Sequence, residues 1–141
     1  MNILVITGPN LNLLGEREPD IYGSDTLEEL MAWLETSSES IGINFKFYQS
    51  NHEGDIIDSI QDEREWCKAI IINPGAFSHY SYAIRDAIVA VNKPTIEVHL
   101  SDISNRESFR KKLVISDVCL RTISGKGKDG YLEALKYLKS I

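Results

Sequence analysis

The chain has 141 residues, of which 43% are hydrophobic and 26% charged, with a formal net charge of −6. One soluble domain with room for a core is expected, and the acidic balance argues against a nucleic-acid partner. No apolar run approaches the ~18 residues of a membrane span. The start MNILVITGPN lacks a basic secretion signal. Cys67 and Cys119 show no CxxC or metal-ligand spacing. Free thiols in a cytoplasmic protein are therefore expected.

Ile3–Thr7 reads as a continuous apolar strand, as a parallel sheet buried on both faces requires. Gly8–Gly23, GPNLNLLGEREPDIYG, then delays the first helix, although connections usually run roughly 4–6 residues. It carries Asn10, Asn12, Arg17, Glu18 and Tyr22 and reads as a lid over a site. Thr26 with Glu29 matches a capping box. Leu27, Leu30, Met31 and Leu34 follow at helical spacing, with Gly42 as the stop. Ile43–Tyr48 is a second strand that runs out into Gln49-Ser50-Asn51-His52.

A second helix is expected over Asp55–Glu65, with Ile56, Ile57 and Ile60 on its apolar face. Ala69–Ile72 is a third strand ending in Asn73-Pro74-Gly75-Ala76, and Ala83, Ile84, Ala87, Ile88 and Val91 mark a third helix. Thr95–Val98 is a fourth strand leading into His99-Leu100-Ser101, and Asn105–Phe109 forms a short helical turn. Val118–Ile123 is the fifth strand, and Tyr131, Leu132, Leu135 and Leu138 mark the closing helix. Strands alternating with helices predict one α/β domain over residues 1–141: a doubly wound parallel sheet with helices on both faces. Five strands fit the flavodoxin-like order 2-1-3-4-5.

In such sheets ligands bind beyond the carboxyl ends of the strands. Those ends carry Asn10, Asn51-His52, Asn73 and His99-Leu100-Ser101, a set of amides, imidazoles and hydroxyls suited to a small oxygen-rich ligand. Glu97, inside the fourth strand, is either a satisfied core carboxylate or an orienting partner for His99. His99 beside Ser101 suits acid–base work. The three histidines, His52, His79 and His99, fall in no HxxxH or HExxH pattern, so no metal is expected. Gly125 to Gly130 spells GxGxxG, but no second strand or acidic ribose contact has room before Ile141, leaving a glycine-rich turn. Arg17 and Tyr22 stand five residues apart. The arginine either favours a phenolate on its neighbour or is a solvated charge beside a loop anchor. A flavin carrier or receiver module is the competing class. A receiver, however, needs carboxylates where Asn10 and Asn73 stand.

GPNLNLLGEREPDIYG, QSNHEG, INPGAFSHYSYAIRDA and IEVHLSDISNRESFR, in this order, closely resemble the type II 3-dehydroquinate dehydratases across essentially the whole chain. The resemblance implies a flavodoxin-like lyase of the shikimate pathway that removes water from 3-dehydroquinate without metal or cofactor. It implies Tyr22 as proton acceptor, Arg17 as its activator, and His99 as proton donor oriented by Glu97. Asn10 would act on the enolate through a water. It implies substrate contacts at Asn73, His79, Asp86, Leu100, Ser101 and Arg110, the carboxylate falling to Leu100 and Ser101. It also implies a homododecamer of four trimers, with Asp86 reaching a neighbour's site. The chain departs from the family pattern at Asn105 and over Lys111–Asp117, where a His-rich segment and Ser-Tyr-x-Ser-Pro are usual. These departures bear on subunit contacts and on the pose of Arg110.

Overall fold

The computed structural model describes residues 1–141. Its five strands, β1 (Asn2–Thr7), β2 (Asn44–Gln49), β3 (Ala69–Asn73), β4 (Thr95–His99) and β5 (Arg121–Ser124), form one parallel sheet in the order β2-β1-β3-β4-β5. This is the flavodoxin-like arrangement. Its helices are a single turn α1 (Pro19–Tyr22), then α2 (Leu27–Glu35), α3 (Glu53–Asp62), α4 (Tyr82–Val91) and α5 (Asp129–Ser140).

Alternation along the strands divides the core in two. Ile3, Val5, Ile71, Ile96 and Val98 face α2 and α5, meeting Leu30, Leu34, Leu135 and Leu138. Leu4, Ile6, Ile70 and Ile72 face α3 and α4, meeting Ile56, Ile60, Ile84 and Ile88. Truncating one such fully buried isoleucine to alanine typically costs about 2–5 kcal/mol. The predicted capping box is present: Thr26 Oγ1 accepts from the Glu29 N–H at 3.1 Å, and Glu29 Oε1 accepts from the Thr26 N–H at 3.4 Å.

Several boundaries differ from expectation. The first full helix stops at Glu35 and is followed by a 3-10 turn over Ser38–Ser40 before Gly42. The second full helix starts two residues early, at Glu53, and ends at Asp62. The fifth strand begins only at Arg121; Ser116–Val118 is a 3-10 turn, and the Leu120 N–H donates to the Thr95 carbonyl at 2.8 Å as the chain enters the sheet. The turn expected over Asn105–Phe109 is split into two 3-10 turns, Ile103–Asn105 and Ser108–Lys111.

Gly8–Gly23 is also less irregular than its composition implies. A 3-10 turn over Leu11–Leu13 and α1 shape it, and Leu11 and Leu14 are buried in the α2/α5 core. At its root, Gly8 lies so close to β3's exit loop that a Cβ would stand 2.4 Å from the Pro74 carbonyl oxygen. Only glycine permits that approach, and it brings Asn10 beside Asn73.

Candidate active site

Where β1, β3 and β4 end, a cavity of about 150 Å³ is lined by Asn10, Arg17, Tyr22, Asn73, His79, His99, Leu100, Ser101 and Arg110, together with Arg106. All but two of the residues expected to form a site are therefore on its walls. Glu97 stands behind His99. Asp86 lies on the exposed side of α4, 3.8 Å from Arg85, and does not line the cavity.

The rear wall is built from the buried end of β4. Glu97 is fully buried, and its Oε2 accepts from His99 Nε2–H. Its Oε1 accepts from Ser116 Oγ at 2.8 Å. The Glu97 carboxylate is thus satisfied on both oxygens, one of them by the His99 ring. Pinning Nε2–H fixes the tautomer of the neutral ring. Nδ1 becomes the atom that can exchange a proton with a ligand.

The front wall is the Gly8–Gly23 segment. Arg17 Nη2 donates to the Tyr22 hydroxyl oxygen at 2.9 Å, and its guanidinium carbon sits 4.2 Å from the ring centre. Arg106 was not singled out by sequence for any role, yet its Nη1 donates to the same oxygen at 2.6 Å. Two guanidiniums converging on one oxygen repel each other, with Glu18 only 3.8 Å from Arg106 as partial compensation. Two cationic donors thus meet at one acceptor oxygen. No spacing in the sequence distinguishes Arg106 from Arg110, Lys111 or Lys112. The 3-10 turns after β4 decide which cation enters.

The floor is a pair of peptides at Leu100 and Ser101. Leu100 and Ser101 are buried, and their N–H groups have no acceptor within the chain. Their carbonyls are held from behind, by Gly127 N–H on Leu100 at 3.1 Å and Gly125 N–H on Ser101 at 3.0 Å. The GxGxxG stretch is therefore a brace beneath the site. Gly127 has φ of +55°, in the region that glycine tolerates at least cost. A buried N–H without a partner costs roughly 1–3 kcal/mol, and a carboxylate placed here would recover it.

On the remaining side, His79 is buried and its Nδ1–H donates to the Lys112 carbonyl at 2.8 Å. Nε2 is left as an acceptor facing the cavity. Burial holds the His79 pKa below the ordinary histidine value; the Lys112 hydrogen bond pulls the other way, while the His99 and Arg110 charges add to burial. Because the folded state resists the His79 proton, the unfolded chain binds more protons just below the ordinary value of ~6.5. Stability is accordingly full above that pH and falls as pH drops towards the lowered folded value. Urea titrations of wild type and His79→Gln are expected to show a steeper acid loss in the wild type, and parallel curves would remove this role. Asn73 Oδ1 accepts from the Gly75 N–H at 3.1 Å.

No group of three or more His, Cys, Asp and Glu side chains is gathered as a metal-binding set. His52 is exposed at the start of α3.

The family model described as Dehydroquinase class II matches residues 1–139. The chain belongs to that family. A 3-dehydroquinate dehydratase of Caldicellulosiruptor saccharolyticus is 56% identical over 140 residues, covering 99% of this chain and 97% of the relative. The type II dehydroquinase structure from Butyrivibrio crossotus superposes with a TM-score of 0.95 at 48% identity, covering 99% of this chain and 97% of that one. The one from Propionibacterium acnes gives 0.93 at 41% identity, with the same coverage. Membership of the class II dehydroquinases makes this chain an enzyme, a 3-dehydroquinate dehydratase of type II. Its cavity wall, with three arginines on a chain of net charge −6, fits a small anionic ligand.

Proposed function

We propose that this chain converts 3-dehydroquinate to 3-dehydroshikimate in two proton-transfer steps, with Tyr22 as base and His99 as acid. The observation that carries the reading is the Tyr22 oxygen, held by Arg106 and Arg17 at 2.6 and 2.9 Å in a cavity whose opposite wall is a histidine backed by a buried carboxylate. A base and an acid on separate walls are what removal of a proton and a hydroxyl from neighbouring carbons requires.

In this scheme the Tyr22 phenolate takes a proton from the carbon next to the substrate ketone, and the electron pair moves onto the ketone oxygen as an enolate. Asn10 stabilises that oxygen through a water. The enolate collapses to a conjugated enone as the neighbouring carbon–oxygen bond breaks, and His99, which enters this step as the imidazolium with Nε2–H on Glu97, gives its Nδ1 proton to the departing hydroxyl, which leaves as water. Tyr22 ends protonated and His99 deprotonated, and return of one proton from Tyr22 to His99 by way of solvent resets the site. The scheme draws on no metal or cofactor.

The Leu100 and Ser101 N–H groups and the Ser101 hydroxyl receive the substrate carboxylate. His79 Nε2, Arg110 and Asn73 face its hydroxyl groups. The product feeds the shikimate pathway towards chorismate and the aromatic amino acids, in the cytoplasm. Asp86 completes a neighbour's site in a dodecamer of four trimers. Support for this assembly comes from its exposed position on α4, beside Tyr82 and Val89, which are 56% and 52% exposed.

Purified protein given 3-dehydroquinate in the presence of chelator is expected to develop the ultraviolet absorbance of a conjugated enone. Folded protein giving no signal would overturn the reading. Light scattering on the same sample is expected to give twelve chains per particle; a monomer with full activity would remove the role given to Asp86.

A further inference from the structure

We propose that Ser116, outside the cavity, is a positioning residue for the acid step: its hydroxyl locks the Glu97 carboxylate in the rotamer that holds His99. The inference rests on the acid role given to His99 above. Glu97 is fully buried, and each of its oxygens has one side-chain donor, His99 Nε2 on Oε2 and Ser116 Oγ on Oε1. The Cys119 thiol feels the Glu97 charge: burial pushes its pKa up to about 12, with the Glu97 and Asp117 charges adding to the effect. A neutral thiol is a weak donor and offers no replacement.

Ser116 is itself held from outside. It begins the 3-10 turn Ser116–Val118, and the next residue, Asp117, accepts from Arg85 Nη2 of α4 at 3.0 Å. The hydrogen-bonded series thus runs from Ser116 through Glu97 to His99, and the neighbouring Arg85–Asp117 ion pair anchors the turn that carries Ser116. Without the Ser116 hydroxyl, a buried carboxylate oxygen is unpartnered, and the carboxylate turns or shares its charge differently with the imidazole. Ser116 touches nothing in the cavity, so substrate binding and proton abstraction by Tyr22 are left alone.

The test compares Ser116→Ala and Ser116→Thr with wild type in steady-state turnover of 3-dehydroquinate. Ser116→Ala is expected to lower kcat roughly tenfold or more with KM within about threefold, and Ser116→Thr to restore most of the loss. In D2O, substrate recovered before completion gains deuterium whenever the enolate is reprotonated rather than losing its hydroxyl. Slowing the acid step alone raises the ratio of exchange to turnover, whereas a generally loosened site lowers both together. An unchanged kcat in Ser116→Ala, or exchange and turnover falling in step, overturns the proposal. Failure of the wild type to convert 3-dehydroquinate would instead sink the functional reading. The Glu97–His99 contact is still measurable in that case: its low-field imidazole N–H proton resonance is expected to move in Ser116→Ala and vanish in His99→Gln. A resonance that stays in place overturns the positioning role without reference to activity.

Discussion

Replacing Tyr22 with phenylalanine is expected to lower kcat by roughly 10²–10⁴-fold, the usual worth of a general base, with folding intact and ligand binding nearly so. The reason lies in what the substitution keeps. The ring remains, and with it the guanidinium faces of Arg17 and Arg106 at 4.2 and 5.1 Å from its centre. Tyr22 is only half-buried, so water can reach the two guanidinium N–H groups that lose the phenol oxygen. What disappears is the one atom on the front wall able to accept a proton between the two cations. Isotope exchange into the substrate should vanish together with turnover, because the enolate no longer forms. A folded Tyr22→Phe protein that keeps activity within about tenfold of wild type would remove Tyr22 from the role of base.

The same segment shows where sequence reasoning reaches its limit. Ile3–Thr7, Ala69–Ile72 and Thr95–Val98 were legible as strands because a parallel sheet covered on both faces demands unbroken apolar runs. The strand ends then placed Asn10, Asn73 and His99 at one edge. β5 was misplaced at its start because Val118 and Cys119 continue the apolar pattern, while the ladder to β4 begins only at the Ile96–Arg121 pair. Arg17 and Tyr22 were open between contact and coincidence until the 2.9 Å hydrogen bond joined them. Arg106 was illegible for a different reason. Its contact with Tyr22 spans 84 residues of sequence and depends on two 3-10 turns whose direction no periodicity encodes. GxGxxG is the glycine-rich turn that its place before Ile141 implies, and the Gly125 and Gly127 N–H groups serve neighbouring carbonyls instead of a phosphate. Long-range polar contacts between loops are what a period-based reading leaves out, and this site is made of them.

Replacing His99 with glutamine is expected to reduce turnover on a similar scale, roughly 10²–10⁴-fold, but with the opposite signature in exchange. The choice of residue matters. Alanine would leave Glu97 buried with one oxygen unpaired, and breaking a buried charge pair costs about 3–5 kcal/mol, so lost activity and lost fold would be confounded. A glutamine amide N–H can still donate to Glu97 Oε2 while Ser116 holds Oε1 at 2.8 Å. The carboxylate stays satisfied, and only the titratable proton is gone. Tyr22 and its arginines are untouched, so the enolate still forms and returns, and substrate recovered from D2O should carry deuterium although little enone appears. Tyr22→Phe stops both processes and His99→Gln stops only the second. The pair of variants therefore orders the steps without any trapped intermediate. Exchange lost to the same degree in both would mean that His99 acts before or during proton abstraction, and the division between a base on the front wall and an acid on the rear wall would have to be abandoned.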